Sequence, residues 1–181
     1  MKILVMCEGP NEKAVVEMLL DAGRLKFSKD DLVGLNVYHA RQLTSSIIKT
    51  NLSIYTGDFE VYRIGDTLTD KLSVPLDYRE RIKGIRKFCT KPELEILLLI
   101  ADGKDAEFEK VKAGKDRKGP KAFCKANVVY NHKRYDNSMI TAHSFIWTIL
   151  DQTSIRLLQL SQNTSENMVL IKRMKNIWQT Y

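Results

Sequence analysis

Glu8 is the acidic residue whose position in the sequence points most directly to chemistry. It follows an apolar run, Lys2–Cys7, and precedes Gly9 and Pro10. A carboxylate at the end of a buried strand is costly to desolvate unless it has a partner. The carboxyl ends of strands are also where open α/β sheets bind their ligands. We therefore take Glu8 as the centre of a candidate site.

Three further acidic residues follow segments that the sequence predicts as strands. Asp102 and Asp105 come after a continuous apolar run, and Asp66 comes after a run that alternates apolar and polar residues. Because the carboxyl ends of parallel strands meet at one edge of a sheet, these carboxylates could converge with Glu8. Mg²⁺ prefers such oxygen ligands. Alternatively, the same side chains only cap helices and turns.

Predicted strands alternate with predicted helices and would place these residues. The strands are predicted over 2–7, 32–39, 59–64 and 94–101. The helices are predicted over 10–23, 42–52 and 78–89, with another that begins near Ala106. This order predicts an α/β fold with a mainly parallel sheet of about four strands and helices on both faces, as in Rossmann-like proteins.

Composition limits the class of protein. The chain has 181 residues, of which 44% are hydrophobic, as in ordinary globular proteins. No apolar run approaches the ~20 residues that a membrane helix needs, and the N-terminus lacks the pattern of a signal peptide. We therefore expect a cytoplasmic protein that does not contact membranes. The three cysteines are widely spaced and form no zinc motif.

A basic segment lies in the second half of the chain. The whole chain carries 29 Lys and Arg against 22 Asp and Glu, a net charge of +7, which favours a polyanionic partner. In this segment cations are interleaved with aromatic residues, which suits contact with nucleic acid; a solvated charged face is the alternative. The candidate nucleic-acid-binding residues are Lys104, Lys112, Lys115, Arg117, Lys118, Lys121, Lys133 and Arg134.

The last third of the sequence predicts helices, including a long one over 138–160 and a basic one at the C-terminus. We expect residues 1–110 to form the α/β domain. Residues 111–181 would form the basic segment and a helical extension packed on that domain.

A strand that ends in Glu8-Gly9, a helix, and later acids at Asp102 and Asp105 resemble the Toprim domain of topoisomerases, primases and OLD-type nucleases. The resemblance covers about residues 1–110 and implies a four-stranded parallel core. It also implies that Glu8 is the acid/base or metal-facing glutamate, and that Asp102 is the first aspartate of a magnesium-binding Asp-x-Asp pair. Here Lys104 stands at the second aspartate's position, and Asp105 follows it.

The resemblance implies a protein that acts on nucleic acid by Mg²⁺-dependent phosphodiester cleavage. Its catalytic residues would be Glu8, Asp102 and Asp105, and Asp66 would join them as a fourth metal ligand. A second hypothesis is a non-catalytic module that kept the fold, lost the metal, and binds nucleic acid, a protein partner or a second copy of the chain. A third is a nucleotide-binding protein with its site at the same sheet edge.

Overall fold

The computed structural model describes residues 1–23, 25–66, 69–90, 94–113, 119–130 and 132–136. They divide into two compact units, one that ends at Thr90 and one that follows it. The expected division into an α/β domain over 1–110 and an extension over 111–181 stays a prediction. The helices predicted over 138–160 and at the C-terminus lie outside the described residues.

The first unit alternates strands with helices. Its elements are β1 (Lys2–Cys7), α1 (Pro10–Asp21), a 3-10 turn (Lys29–Asp31), β2 (Leu32–His39), α2 (Ser46–Ile54), β3 (Phe59–Gly65), α3 (Leu76–Arg79) and β4 (Ile82–Cys89). The four strands pair in parallel in the order β2-β1-β3-β4. The predicted α/β fold with a four-stranded parallel sheet is confirmed.

β1 lies between β2 and β3 and is buried on both faces. Its last four residues have no exposed surface, as a continuous apolar run predicts for a central parallel strand. Leu4 and Met6 face a cluster that includes Ile48 and Leu52 of α2. The alternation of side chains along a strand puts the residues between them on the opposite face. β1 is therefore a rigid support for Glu8, which directly follows it.

The prediction of a helix over 78–89 is wrong, because most of this segment is strand β4. Ile82, Ile85 and Phe88 recur every three residues, which fits one face of a helix. In the structure the segment instead extends along β3, where Ile85 pairs with Val61 and Phe88 with Ile64. β4 borders β3 alone in the described sheet, and an edge strand tolerates the charged residues between its apolar ones.

The prediction of a strand over 94–101 is also wrong, because helix α4 (Ile96–Ala101) occupies it. A short run in which every residue is apolar has no periodicity, so it does not distinguish a buried strand from a buried helix. The run is rich in leucine, which favours helices. The place that we assigned to the fourth strand of the sheet belongs to β4.

The second unit is small and mainly helical. Its elements are α4, α5 (Asp105–Ala113), α6 (Pro120–Asn127) and a short antiparallel pair, β5 (Val129–Tyr130) and β6 (Lys133–Arg134). Phe108 of α5 and Phe123 of α6 meet edge to face, with ring centroids 5.4 Å apart.

Glu95 is a charged residue inside this second unit, with only 5% of its surface exposed. The hydroxyl of Tyr135 donates a hydrogen bond of 2.7 Å to Glu95 Oε1. Lys121 Nζ lies 3.7 Å from the same oxygen. These contacts join the residue before α4 to α6 and to the segment after β6.

A bulge interrupts the pairing of β2 with β1. Ile3 is opposite Leu32 and Val5 is opposite Val37, so Leu4 alone faces residues 33–36. Within the bulge both Gly34 and Leu35 have positive φ, 64° and 57°. The Leu35 side chain is 54% exposed.

None of the helices in the described part of the chain combines the length and the hydropathy that crossing a bilayer requires.

Candidate functional site

The fold places Glu8 and Asp66 side by side at one edge of the sheet. Glu8 directly follows β1 and Asp66 directly follows β3, the strand that pairs with β1. The chain passes from β1 to β2 on one side and from β3 to β4 on the other. The crevice between β1 and β3 is therefore the topological switch point, where open α/β sheets bind ligands.

Hydrogen bonds bring the Glu8 carboxylate against the start of the Asp66 loop. The backbone N–H of Asp66 donates to Glu8 Oε2 over 3.3 Å. The backbone N–H of Glu8 donates to the carbonyl oxygen of Ile64 over 2.9 Å and so extends the pairing of β1 with β3. The Glu8 side chain is 14% exposed. A largely desolvated carboxylate thus lies beside a second acidic residue.

This environment raises the pKa of Glu8 above its ordinary value. The largest cause is burial, followed by the hydrogen bond and the negative charge of the Asp66 side chain. The Asp66 backbone amide and the Arg41 guanidinium oppose the shift. A carboxylate whose ionisation is made costly by burial and by a neighbouring carboxylate forms a site that a cation would stabilise.

Gly65 makes this close approach possible. A Cβ at Gly65 would overlap Glu8 Oε2 and would lie 3.0 Å from Glu8 Cβ. Any residue with a side chain would therefore push the carboxylate away from Asp66. The glycine that ends β3 is part of the candidate site, although it carries no chemical group.

His39 and Arg41 also lie at this edge, and the sequence reasoning missed both as site residues. His39 ends β2, and its Nε2 lies 3.1 Å from the carbonyl oxygen of Glu8. Arg41 Nη2 lies 3.5 Å from Glu8 Oε1, and the Arg41 side chain is 71% exposed. The available signal was positional, since His39 ends a correctly predicted strand, β2, and Arg41 comes shortly after it.

Asp102 and Asp105 belong to the second unit. Asp102 follows helix α4 and Asp105 begins helix α5, so neither ends a strand of the sheet. Our reason for expecting them beside Glu8 was the meeting of parallel strand ends, and that reason does not apply to them. Their assignment as catalytic and metal-binding residues stays a prediction.

Within the second unit, several of the candidate nucleic-acid-binding lysines have partners. Lys104 Nζ lies 2.7 Å from Asp102 Oδ2 and also donates to the carbonyl oxygen of Asn127. Lys112 Nζ lies 3.9 Å from Glu109. Lys104 therefore neutralises the acid that we predicted as a metal ligand.

The structure describes fewer contacts for the other candidate nucleic-acid-binding residues. Lys121 contacts Glu95, and Arg134 is exposed. Lys133 lies in β6, but its side chain is outside the described part of the structure. Lys115, Arg117 and Lys118 lie outside the described residues. Their binding of nucleic acid stays a prediction.

Glu8 and Asp66 fit a hard cation. Mg²⁺ commonly takes one or two carboxylates from a protein and completes its shell with water and phosphate oxygens. Among the residues that the structure describes, no group of three or more His, Cys, Asp or Glu side chains is arranged to hold a metal ion. A cation at this edge would therefore rest on two carboxylates and on oxygens of its substrate.

The Glu8→Gln variant is expected to be more stable than the wild type at neutral pH but not at acidic pH. Because the pKa of Glu8 is raised in the folded protein, folding favours the protonated carboxyl. That contribution is fully present below the ordinary pKa of glutamate and is lost as pH rises through the raised pKa. Glutamine has no charge to lose. Its advantage should therefore grow with pH.

Thermal unfolding between about pH 4 and about pH 8, with a chelator present, would test this. Glu60→Gln is the matched control, because Glu60 pairs with Arg86 over 3.3 Å in the same unit and away from the site. A difference between Glu8→Gln and wild type that does not change with pH would contradict the expected linkage.

Searches with the chain found no matching protein-family model, curated protein or solved structure.

Proposed function

We propose that this protein binds Mg²⁺ at Glu8 and Asp66 and cleaves phosphodiester bonds in nucleic acid. The observation that carries the proposal is the pair of adjacent acidic residues at the switch point of a parallel sheet. The raised pKa of Glu8 adds to it, because a divalent cation would offset the unfavourable meeting of two carboxylates. The resemblance to the Toprim domain supports the same chemistry.

Each residue at the edge has a role that follows from its position. Glu8 and Asp66 would hold the cation, which when bound orients a phosphodiester and stabilises charge that develops on it. The exposed guanidinium of Arg41 would leave Glu8 for a phosphate oxygen, since arginine binds phosphate with two parallel hydrogen bonds. The imidazole of His39, which lies at the same edge, would donate a proton to the leaving oxygen.

A polymeric substrate is favoured over a free nucleotide by charge. The chain carries a net charge of +7, and an excess of cations raises the rate at which polyanions are captured. Binding through several phosphates would weaken steeply as salt concentration rises, whereas binding of a single nucleotide would weaken less. The salt dependence of binding therefore distinguishes these two substrate classes.

Cleavage of end-labelled single- and double-stranded DNA and RNA with Mg²⁺ or Mn²⁺ tests the proposal. Glu8→Gln and Asp66→Asn are each expected to lower the rate by at least about 100-fold, the scale of losing an acid/base group or a preorganised electrostatic contact. Wild-type activity in Glu8→Gln would overturn the assignment of this edge as the active site.

Asp58→Asn is the matched control. Asp58 directly precedes β3, whereas Asp66 directly follows it, so the two aspartates lie at opposite ends of this strand. Asp58 is exposed and pairs with Lys83 over 3.3 Å. Its substitution removes the same charge from the same unit and should leave cleavage unchanged.

The second candidate is a binding module without catalysis. It is favoured by the finding that no group of three potential metal ligands occurs among the described residues, and by Lys104, whose ammonium pairs with Asp102. Salt-dependent binding of nucleic acid without cleavage in any metal would support this candidate and contradict the enzyme. Capture of a protein partner without nucleic-acid binding would support the module in its other form.

A further inference from the structure

Residues 69–75, which we call the strap, lie against the sheet. The strap has no helical or strand hydrogen bonds. Two of its residues, Leu72 and Val74, pack against the buried cluster that contains Leu4 and Met6. The strap therefore crosses the same sheet face that these two β1 side chains occupy.

A buried arginine binds the start of the strap. Arg63 of β3 is 5% exposed. Its Nη2 donates to Asp70 Oδ2 over 2.9 Å, and its Nη1 donates to the carbonyl oxygen of Asp70 over 3.2 Å. Lys87 of β4 donates to the same carbonyl over 2.6 Å. Two adjacent strands thus fix one residue of the loop.

Gln42 holds the strap further along, with both ends of its side-chain amide. Its Nε2 donates to the carbonyl oxygen of Lys71 over 3.1 Å. Its Oε1 accepts the backbone N–H of Ser73 over 2.9 Å. The segment after β2 is thereby connected to the loop after β3.

These contacts matter because the two backbone hydrogen bonds of Asp66 are weak. Its N–H bond to Glu8 is 3.3 Å long, which is the weak end of the range for such bonds. The thiol of Cys89 donates to the Asp66 carbonyl oxygen over 3.2 Å, and thiols are weak donors. Repulsion between the Glu8 and Asp66 carboxylates acts to separate them. A stronger restraint is needed nearby.

We propose that the Arg63–Asp70 ion pair supplies that restraint and that Arg63 and Asp70 are positioning residues for Asp66. Asp70 is four residues after Asp66 in the chain, so fixing it limits how far Asp66 can move from Glu8. The buried guanidinium in turn requires the Asp70 carboxylate, because an uncompensated buried charge is costly. The consequence for metal binding rests on the proposed function, whereas the consequence for the loop does not.

Amide hydrogen exchange tests the restraint without any metal. In a chelator, Asp70→Ala is expected to speed exchange of the Asp66 amide by about 10-fold or more, while the amides of β1 keep their protection. The milder Asp70→Asn keeps the volume of the side chain and should speed exchange less. Glu60→Gln is the matched control, because Glu60 of β3 pairs with Arg86 of β4 and alternates with Phe59 and Val61, which belong to the cluster under the strap.

Mn²⁺ affinity then separates the positioning role from the proposed function. If wild type binds Mn²⁺ through Glu8, Asp70→Ala should weaken that binding by about 10-fold or more while Glu60→Gln does not. Faster Asp66 exchange in a protein that binds no Mn²⁺ supports the positioning role and overturns the metal site. Unchanged Asp66 exchange in Asp70→Ala, or equal loss of protection throughout β1, overturns the positioning role.

Discussion

Replacing Gly65 by alanine is expected to abolish the proposed metal binding and cleavage at the sheet edge and to leave the sheet folded. The new Cβ would overlap Glu8 Oε2 and lie 3.0 Å from Glu8 Cβ. The end of the glutamate chain can swing away, but its Cβ is fixed by the backbone that follows β1. The two carboxylates would therefore separate. We expect the overpacking to cost about 1–3 kcal/mol of folding free energy.

Gly84→Ala is the matched control for this variant. Gly84 is a strand glycine in β4, next to β3, and a Cβ there would meet Glu60 at 3.6 Å, an ordinary contact. Metal affinity and cleavage rate should be measured for both variants together with their unfolding temperatures. Gly65→Ala with full activity, or equal losses in the two variants, would contradict the steric argument.

Replacing Glu95 by alanine is expected to destabilise the second unit by about 1–3 kcal/mol, the cost of leaving a buried hydrogen-bonding group without its partner. Glu95 is 5% exposed and accepts the hydrogen bond of Tyr135. Without it, Tyr135 loses this acceptor and Lys121 loses a counter-ion inside the unit. Cys124 is also near, because its thiol donates to the Glu95 carbonyl oxygen over 3.5 Å.

Two smaller changes separate the parts of this effect. Glu95→Gln keeps an oxygen acceptor and removes the charge, whereas Tyr135→Phe removes the hydrogen bond and should cost about 1 kcal/mol. Hydrogen exchange across α4, α5 and α6 would report the stability of the second unit. Protection in Glu95→Ala that matches wild type would show that the cluster contributes little to this unit.

Strands β1, β2 and β3 could be predicted because the pattern of apolar residues in each of them agrees with its burial in the sheet. After Lys2, β1 is apolar because it is central, and β2 and β3 follow from runs bounded by polar turns. The predicted ends of β1 and β2 match the structure, and β3 differs by one residue. Correct ends of β1 and β3 place Glu8 and Asp66 at one edge.

The fourth strand could not be predicted because the helical spacing of its apolar residues disagrees with its place in the sheet. β4 contains residues that recur at a helical period, and its strand conformation depends on pairing with β3, which lies outside any local window. The run that includes α4 has the composition of a buried segment but no period. Because residues 94–101 were predicted as a strand, we expected Asp102 at a strand end, whereas it follows helix α4.

The bulge in β2 has a consequence for how the protein behaves at high concentration. β2 borders β1 alone in the described sheet, and a flat strand at that border would offer its backbone to a strand of another molecule. Residues 33–36 do not continue the ladder, and Gly34 and Leu35 turn the backbone to positive φ. A second chain would therefore find a broken row of donors and acceptors there, and fibril growth from this side is disfavoured.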